Sequence, residues 1–253
     1  MHTFRSPAFA PAAAIILGLG ALGLGVLSLL HRDFALQWQP YPDAMPGRAL
    51  WGLASGAVAA VGGLLTIARP TRGAGAAILA VFFGLWVVAL HGPVIAAKPT
   101  SVALWNGLAE AAAMGLGALV VWREIRTGPD RLAGLAVRGF GAACVVFGGA
   151  HFVYAEFTAT MVPAWLPMRL ELAYFTGAIH VLTGLALLAR IRPAVAAAVE
   201  AAMMTSFVAL VHLPRIAAKP TDRLELTMGF IALTLAAAAW SIAVSRSAAK
   251  ERK

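Results

Sequence analysis

The chain has 253 residues, of which 60% are hydrophobic and 12% charged, with a mean hydropathy of +0.81. A soluble domain carries about 25% charged residues, so this composition excludes a water-soluble globule and places the chain in a bilayer. The net charge of +9 does not mark a nucleic-acid binder, because the basic residues stand in short clusters between apolar runs, and the lone Cys144 excludes an intrachain disulfide and a Cys-x-x-Cys redox pair.

Residues 6–31 contain no Asp, Glu, Lys or Arg, and about 20 apolar residues in a helix already cross the hydrocarbon core. The first helix is predicted there. A secretory signal would have a shorter apolar core followed by a small-x-small site, whereas this run ends in Leu-Leu-His-Arg-Asp and is expected to stay attached. Seven further spans are predicted at about 49–68, 74–97, 103–122, 132–152, 171–189, 194–213 and 225–245. The fold class expected is therefore an all-α membrane protein of eight transmembrane helices.

The segment His91-Gly-Pro-Val-Ile-Ala-Ala-Lys-Pro-Thr100 returns as His212-Leu-Pro-Arg-Ile-Ala-Ala-Lys-Pro-Thr221, with eight of ten positions identical at a spacing of 121 residues. The same spacing carries Pro42, Pro46, Arg48 and Gly56 onto Pro163, Pro167, Arg169 and Gly177. Such agreement among His, Pro, Lys and Arg reads as a tandem duplication, with one four-helix repeat at 1–127 and a second at 128–253. An even helix count per repeat gives both units the same orientation, related by a pseudo-twofold axis along the membrane normal.

Twelve basic residues near helix ends fall on one side (Arg5, Arg69, Arg72, Arg123, Arg126, Arg131, Arg190, Arg192, Arg246, Lys250, Arg252 and Lys253) and seven on the other. Lys and Arg are retained on the cytoplasmic side, so both termini are expected in the cytoplasm of a bacterial-type inner membrane. The connections 32–48 and 153–170 then lie outside. Their Pro, Trp and Tyr residues suit segments resting among the lipid headgroups. Gly18, Gly23 and Gly25, Gly141 and Gly148, and Gly177 and Gly184 recur at helical spacings and predict close helix contacts. The short turns at 69–72 and 190–193 predict antiparallel neighbours.

Ionisable groups within a span are costly, by about 2.5 kcal/mol or more at the centre, and are functional candidates for that reason. The candidate ligand or cofactor residues are His151, His180, His212, His31, His91, Glu110 and Glu156. His31, His91, His151 and His212 all sit at the outer ends of helices, read as two repeat-related pairs, His31 with His151 and His91 with His212. Tyr174, Gly177, His180 and Gly184 share one helix face, and Asn106, Glu110 and Met114 share another. The second repeat is favoured as the site, with His151, His180, His212 and Glu156 converging. The competing reading is structural: terminal histidines satisfied by water or headgroups, Pro93 and Pro214 ending their helices, and Glu110 and Glu200 bridging helices.

Gly149-Ala-His-Phe-Val-Tyr-Ala-Glu-Phe157, Met161-Val-Pro-Ala-Trp-Leu-Pro167, Thr176-Gly177 and Gly184 resemble the DoxX family of membrane proteins, and Asp33-Phe-Ala-Leu-Gln-Trp-Gln-Pro40 with Gly56 and Gly63 resembles a drifted copy of the same module. Together the two cover nearly the whole chain. The resemblance implies four-helix membrane modules and a quinone-linked redox or electron-transfer subunit with a redox partner protein, in which outer-leaflet histidines would contact quinone. Bis-histidine haem or a metal ion is the lesser alternative. Membrane lipid is the other expected partner, and nucleic acid is not one. A non-enzymatic small-molecule carrier or membrane assembly partner is the competing class.

Overall fold

The computed structural model describes residues 9–42, 44, 46–124 and 131–251. Among these residues all regular structure is helical, and eight helices are long and apolar enough to cross a membrane. They are α1 (Pro11–His31), α2 (Arg48–Ile67), α3 (Arg72–Ala97), α4 (Val102–Glu124), α5 (Arg131–Val153), α6 (Arg169–Leu188), α7 (Pro193–Ala218) and α8 (Arg223–Ser245). Lengths of 20 to 26 residues correspond to about 30–39 Å at 1.5 Å per residue, enough for a hydrocarbon core of about 30 Å. The predicted start of the first helix at residues 6–8 lies outside the described residues.

Each helix packs on the next in sequence, α1 also packs on α8, and α4 and α8 pack on each other. The apolar positions turned into this arrangement include Leu17, Leu79, Phe83, Met114, Phe140 and Ile242, all without appreciable exposure. Glycine allows the closest approaches. A Cβ on Gly18 would meet the Gly63 carbonyl at 2.7 Å and one on Gly25 the Gly56 carbonyl at 2.6 Å; on α5, Gly141 and Gly148 meet the Gly184 and Gly177 carbonyls at 2.8 and 2.6 Å. Lipid supplies no hydrophobic drive between helices, so backbone contact at small residues provides the packing energy.

Helix limits recur at an offset of 121 residues, α2 with α6, α3 with α7 and α4 with α8. The α1–α5 relation differs. Gly18 and Gly25 face Gly63 and Gly56 as Gly141 and Gly148 face Gly184 and Gly177, an offset of 123, so the second long connection is two residues shorter. The pairing of His31 with His151 is thereby corrected. Ser28 packs its Cβ against the Gly56 position as His151 does against Gly177, and Ser28 is the positional mate of His151.

Two further expectations are corrected. The competing reading in which Pro93 and Pro214 end their helices does not hold: α3 runs to Ala97, as the predicted span 74–97 has it, and α7 runs on to Ala218, past its predicted end at 213, through π-helical turns at Trp86–His91 and Val208–His212. The Gly92 amide bonds the Val87 carbonyl and the Leu213 amide the Val208 carbonyl. This wider i to i−5 register moves the carbonyl that a proline ring would strike in an α-helix. The connection 32–48 does not rest at the surface along its length. Phe34, Ala35, Trp38 and Gln39 are buried, held by a Gln39 Oε1 bond from the Ala35 amide at 3.0 Å and a Gln39 Nε2 bond to Ser55 Oγ at 2.6 Å. In the second connection the short helix Ala155–Met161 and the loop after it leave Phe157 and Trp165 exposed.

Candidate functional site

At the end of the bundle that carries the two long connections, buried polar groups gather between α4, α5, α6, α7 and α8. Glu200 on α7 has no exposure and His180 on α6 only 2%. His180 Nδ1 lies 2.5 Å from Glu200 Oε1, and Thr183, one turn along α6, donates its hydroxyl to Glu200 Oε2 at 2.5 Å. The Cys144 thiol on α5 also neighbours this carboxylate. With Nδ1 engaged by Glu200, Nε2 is the nitrogen that His180 offers to the cavity it lines. A carboxylate on one imidazole nitrogen fixes the ring's orientation and tautomer.

His151 stands beside this pair, its ring centroid 4.8 Å from that of His180, and Phe207 of α7 completes a triangle of rings, 6.2 Å from His151 at 22° and 6.0 Å from His180. His151 Nδ1 lies 2.9 Å from the Phe147 carbonyl. A carbonyl only accepts, so Nδ1 carries the proton.

The opposite wall comes from the first half of the chain. Trp38, folded in from the first long connection, donates its indole N–H to Glu110 Oε2 on α4, and Asn106 donates to Glu110 Oε1 at 3.1 Å. His91, 1% exposed, donates Nε2–H to the Trp38 carbonyl at 3.0 Å, which leaves Nδ1 buried with no hydrogen-bond partner. His212 Nδ1 is buried and unpartnered as well. Trp38 thus has a structural reason to turn inward: its indole N–H meets a carboxylate and its backbone carbonyl a histidine, so the polar group of the large apolar side chain and the buried main-chain oxygen are both satisfied.

Between the walls lies a cavity of about 200 Å³ lined by Glu110, His151, His180 and His212 together with Trp38, Phe207 and two methionines, Met204 and Met228. It shares Glu110, His151 and His212 with a cavity of about 390 Å³ under the helix Ala155–Met161 and Pro163. It shares Glu110 and His151 with a third, of about 430 Å³, that reaches His91 and Gly107. The three adjoin at these shared residues and are together termed the cleft. His31 is exposed and lines none of these cavities, and Glu156 faces a separate groove with Arg169 and Glu171. Among the described residues no group of three or more His, Cys, Asp or Glu side chains could hold a metal ion, and imidazoles as close as His151 and His180 leave no space for a porphyrin between them.

The matching positions of the first half carry none of this chemistry. His180, Thr183 and Glu200 correspond at the 121 offset to Ala59, Gly62 and Leu79, and His151 and Cys144 correspond at the 123 offset to Ser28 and Ala21. Only His91 and His212 are shared. The first half packs the same helix positions with apolar or small groups, so the polar set is not something the helix arrangement requires.

Outside the spans, Asp33 joins the two halves. It accepts from Arg48 at 2.8 Å and from Arg223 of α8 at 3.2 Å, and Arg223 also donates to the Phe34 carbonyl. Partial burial pulls the Asp33 carboxyl upward, but bonds from the Phe34 amide, Arg48 and Arg223 outweigh it and hold it below its ordinary value. Beside it Glu225, 5% exposed, takes a two-pronged Arg215 guanidinium at 2.8 and 2.6 Å. Comparison of the chain with protein-family models, curated proteins and solved structures finds no match.

Proposed function

We propose that this polytopic membrane protein is a quinone-linked redox subunit of the DoxX type, built from two tandem four-helix units, with an aromatic ring ligand held in the cleft between them. The observation that carries this reading is the convergence of His151, His180 and His212 with Glu110 on one cavity that is otherwise apolar and aromatic. Clefts of this kind bind ring ligands, with a few polar groups fixing the orientation. The cavity is large enough, since an apolar cavity of about 150 Å³ already holds a benzene ring. A lipid-soluble ligand needs a sideways entrance. The groove beneath Ala155–Met161, flanked by exposed Phe157 and Leu210, supplies one at the depth expected for headgroups.

The one-sided distribution of the polar set supports the same reading. Burying His180 and Glu200 in their spans costs free energy, the matching first-half positions Ala59 and Leu79 are apolar, and a ligand accounts for the cost. Twofold arrangement of the units is supported by Gly117 of α4 and Ala238 of α8, which lie 121 residues apart and touch each other, as only positions on an exchange axis can. In the orientation expected from the basic residues the cleft opens in the outer leaflet.

A carrier is the second reading, favoured by one observation: α3 and α7 are both interrupted by π-helical turns at matching positions beside the cleft, and paired helix interruptions accompany many transport sites. Purification in mild detergent, with absorbance spectra before and after dithionite and extraction of bound lipid, tests the redox reading. Retained quinone at near one per chain supports it. A clean preparation with neither quinone nor a redox-active chromophore, combined with ligand flux in vesicles, moves the assignment to the carrier.

A further inference from the structure

The hydrogen-bonding sense of the cleft narrows what it holds. His151 commits its Nδ1–H to the Phe147 carbonyl at 2.9 Å, so the neutral ring turns a lone pair at Nε2 toward the cavity that His151 lines. His91 commits Nε2–H to the Trp38 carbonyl at 3.0 Å, and its Nδ1 lone pair is buried without a partner. Gly107 of α4 lies against the same ring edge, where a Cβ would stand 3.1 Å from His91 Cε1. Trp38 gives its indole N–H and Asn106 one of its two amide N–H groups to Glu110.

We infer that the cleft selects ligands that donate hydrogen bonds, and that its preferred occupant is a hydroxylated aromatic ring, the hydroquinone form of a quinone pair, with a ring hydroxyl directed at His151 Nε2. This rests on the quinone reading above and deepens it. The geometry favours a hydroxyl over a carbonyl because a carbonyl facing the His151 lone pair repels it, while a hydroxyl satisfies it. The ring itself fits a slot walled by Phe207, which lies nearly parallel to the His151 ring, and by Trp38 across the cavity. His180 stays compatible in either protonation state, because a hydroxyl both donates and accepts.

Equilibrium binding to the full chain in lipid nanodiscs separates the outcomes, using four tritiated probes with the same alkyl tail: a 1,4-hydroquinone kept reduced, the matching quinone, the hydroquinone dimethyl ether, and a simple phenol. The hydroquinone is expected to bind roughly tenfold or more tightly than the quinone or the ether, the loss that follows when a buried acceptor is left without its donor. His151→Ser introduces the side chain that α1 carries at this position and is expected to fold and to erase the preference. A quinone that binds as tightly as the hydroquinone, or an unchanged preference in His151→Ser, overturns the inference and leaves the quinone reading standing. A phenol that binds while both members of the quinone pair fail supports the donor rule and removes the quinone reading. Failure of all four probes removes both.

Discussion

Leu79 and Glu200 stand 121 residues apart at matching positions of α3 and α7, both fully buried, one a plain apolar contact and the other a carboxylate bonded to His180 and Thr183. The same helix frame therefore accepts either chemistry. Glu200→Leu alone is expected to destabilise the protein by about 1–3 kcal/mol, because the buried His180 Nδ1 loses its partner. His180→Ala with Glu200→Leu, the combination already present in the first half, should recover most of that loss. Unfolding in detergent of both variants measures this, and a double variant no more stable than the single one would show that the polar pair is structural.

Gly148 and Gly149 are adjacent on α5 but meet different surroundings. A Cβ on Gly148 would approach the Gly177 carbonyl to 2.6 Å, whereas one on Gly149 would meet nothing within 4 Å. Gly148→Val is expected to break the α5–α6 contact and the His151–His180 geometry with it. Gly149→Ala should be neutral or stabilising by up to about 1 kcal/mol through helix propensity. Thermal unfolding with ligand retention checks the pair.

The Asp33–Arg223 contact ties the first long connection to α8. Asp33→Asn removes the charge from a partly exposed pair and is expected to cost about 1 kcal/mol or less. Because the folded carboxyl is held below its ordinary value, its contribution is fully present above the unfolded pKa and is lost as pH falls through the folded one. Melting temperatures of wild type and Asp33→Asn should therefore differ at neutral pH and converge under strongly acidic conditions.

Orientation is tested by single cysteines in a Cys144→Ala background, a buried site. Pro99→Cys and Pro220→Cys, in matching turns after α3 and α7, are expected to react with an impermeant thiol reagent in intact cells. Thr71→Cys and Ile191→Cys, in the turns before those helices, should react only after lysis. Opposite behaviour within either pair contradicts the duplicated arrangement. Inverted labelling of both pairs contradicts only the cytoplasmic placement of the termini.

Eight spans and the 121-residue offset could be read from the sequence because both depend on long-range pattern, apolar runs of fixed length and repeated His, Pro and Lys. The α1 register could not, since its matching stretch is Ala, Gly and Leu, and only the glycine contacts reveal the two-residue shift that makes Ser28, rather than His31, the mate of His151. Proline at 93 and 214 gives a helix-stop pattern in sequence, and the π-turns that carry the helices past it depend on packing. The inward turn of Trp38 toward Glu110 spans 72 residues of sequence and has no local sign. Glu200 did leave a sign, an acidic residue where the first half has leucine, although the sequence reading treats it as a helix bridge only. Its pairing with His180 across two helices is a matter of tertiary geometry.

The cleft holds an aromatic ligand, in the proposed reading, between Trp38 on one wall and His151 with Phe207 on the other. Photolabelling of the protein in native membranes with an azido-quinone, followed by mapping of the modified peptides, tests it most directly. Labels are expected to concentrate on the segments carrying Trp38, Met204, Phe207 and Met228, to be displaced by excess unlabelled hydroquinone and to be absent from His180→Ala with Glu200→Leu. Labels spread over lipid-facing residues such as Leu50, Val88 and Leu182, with no displacement, would contradict it.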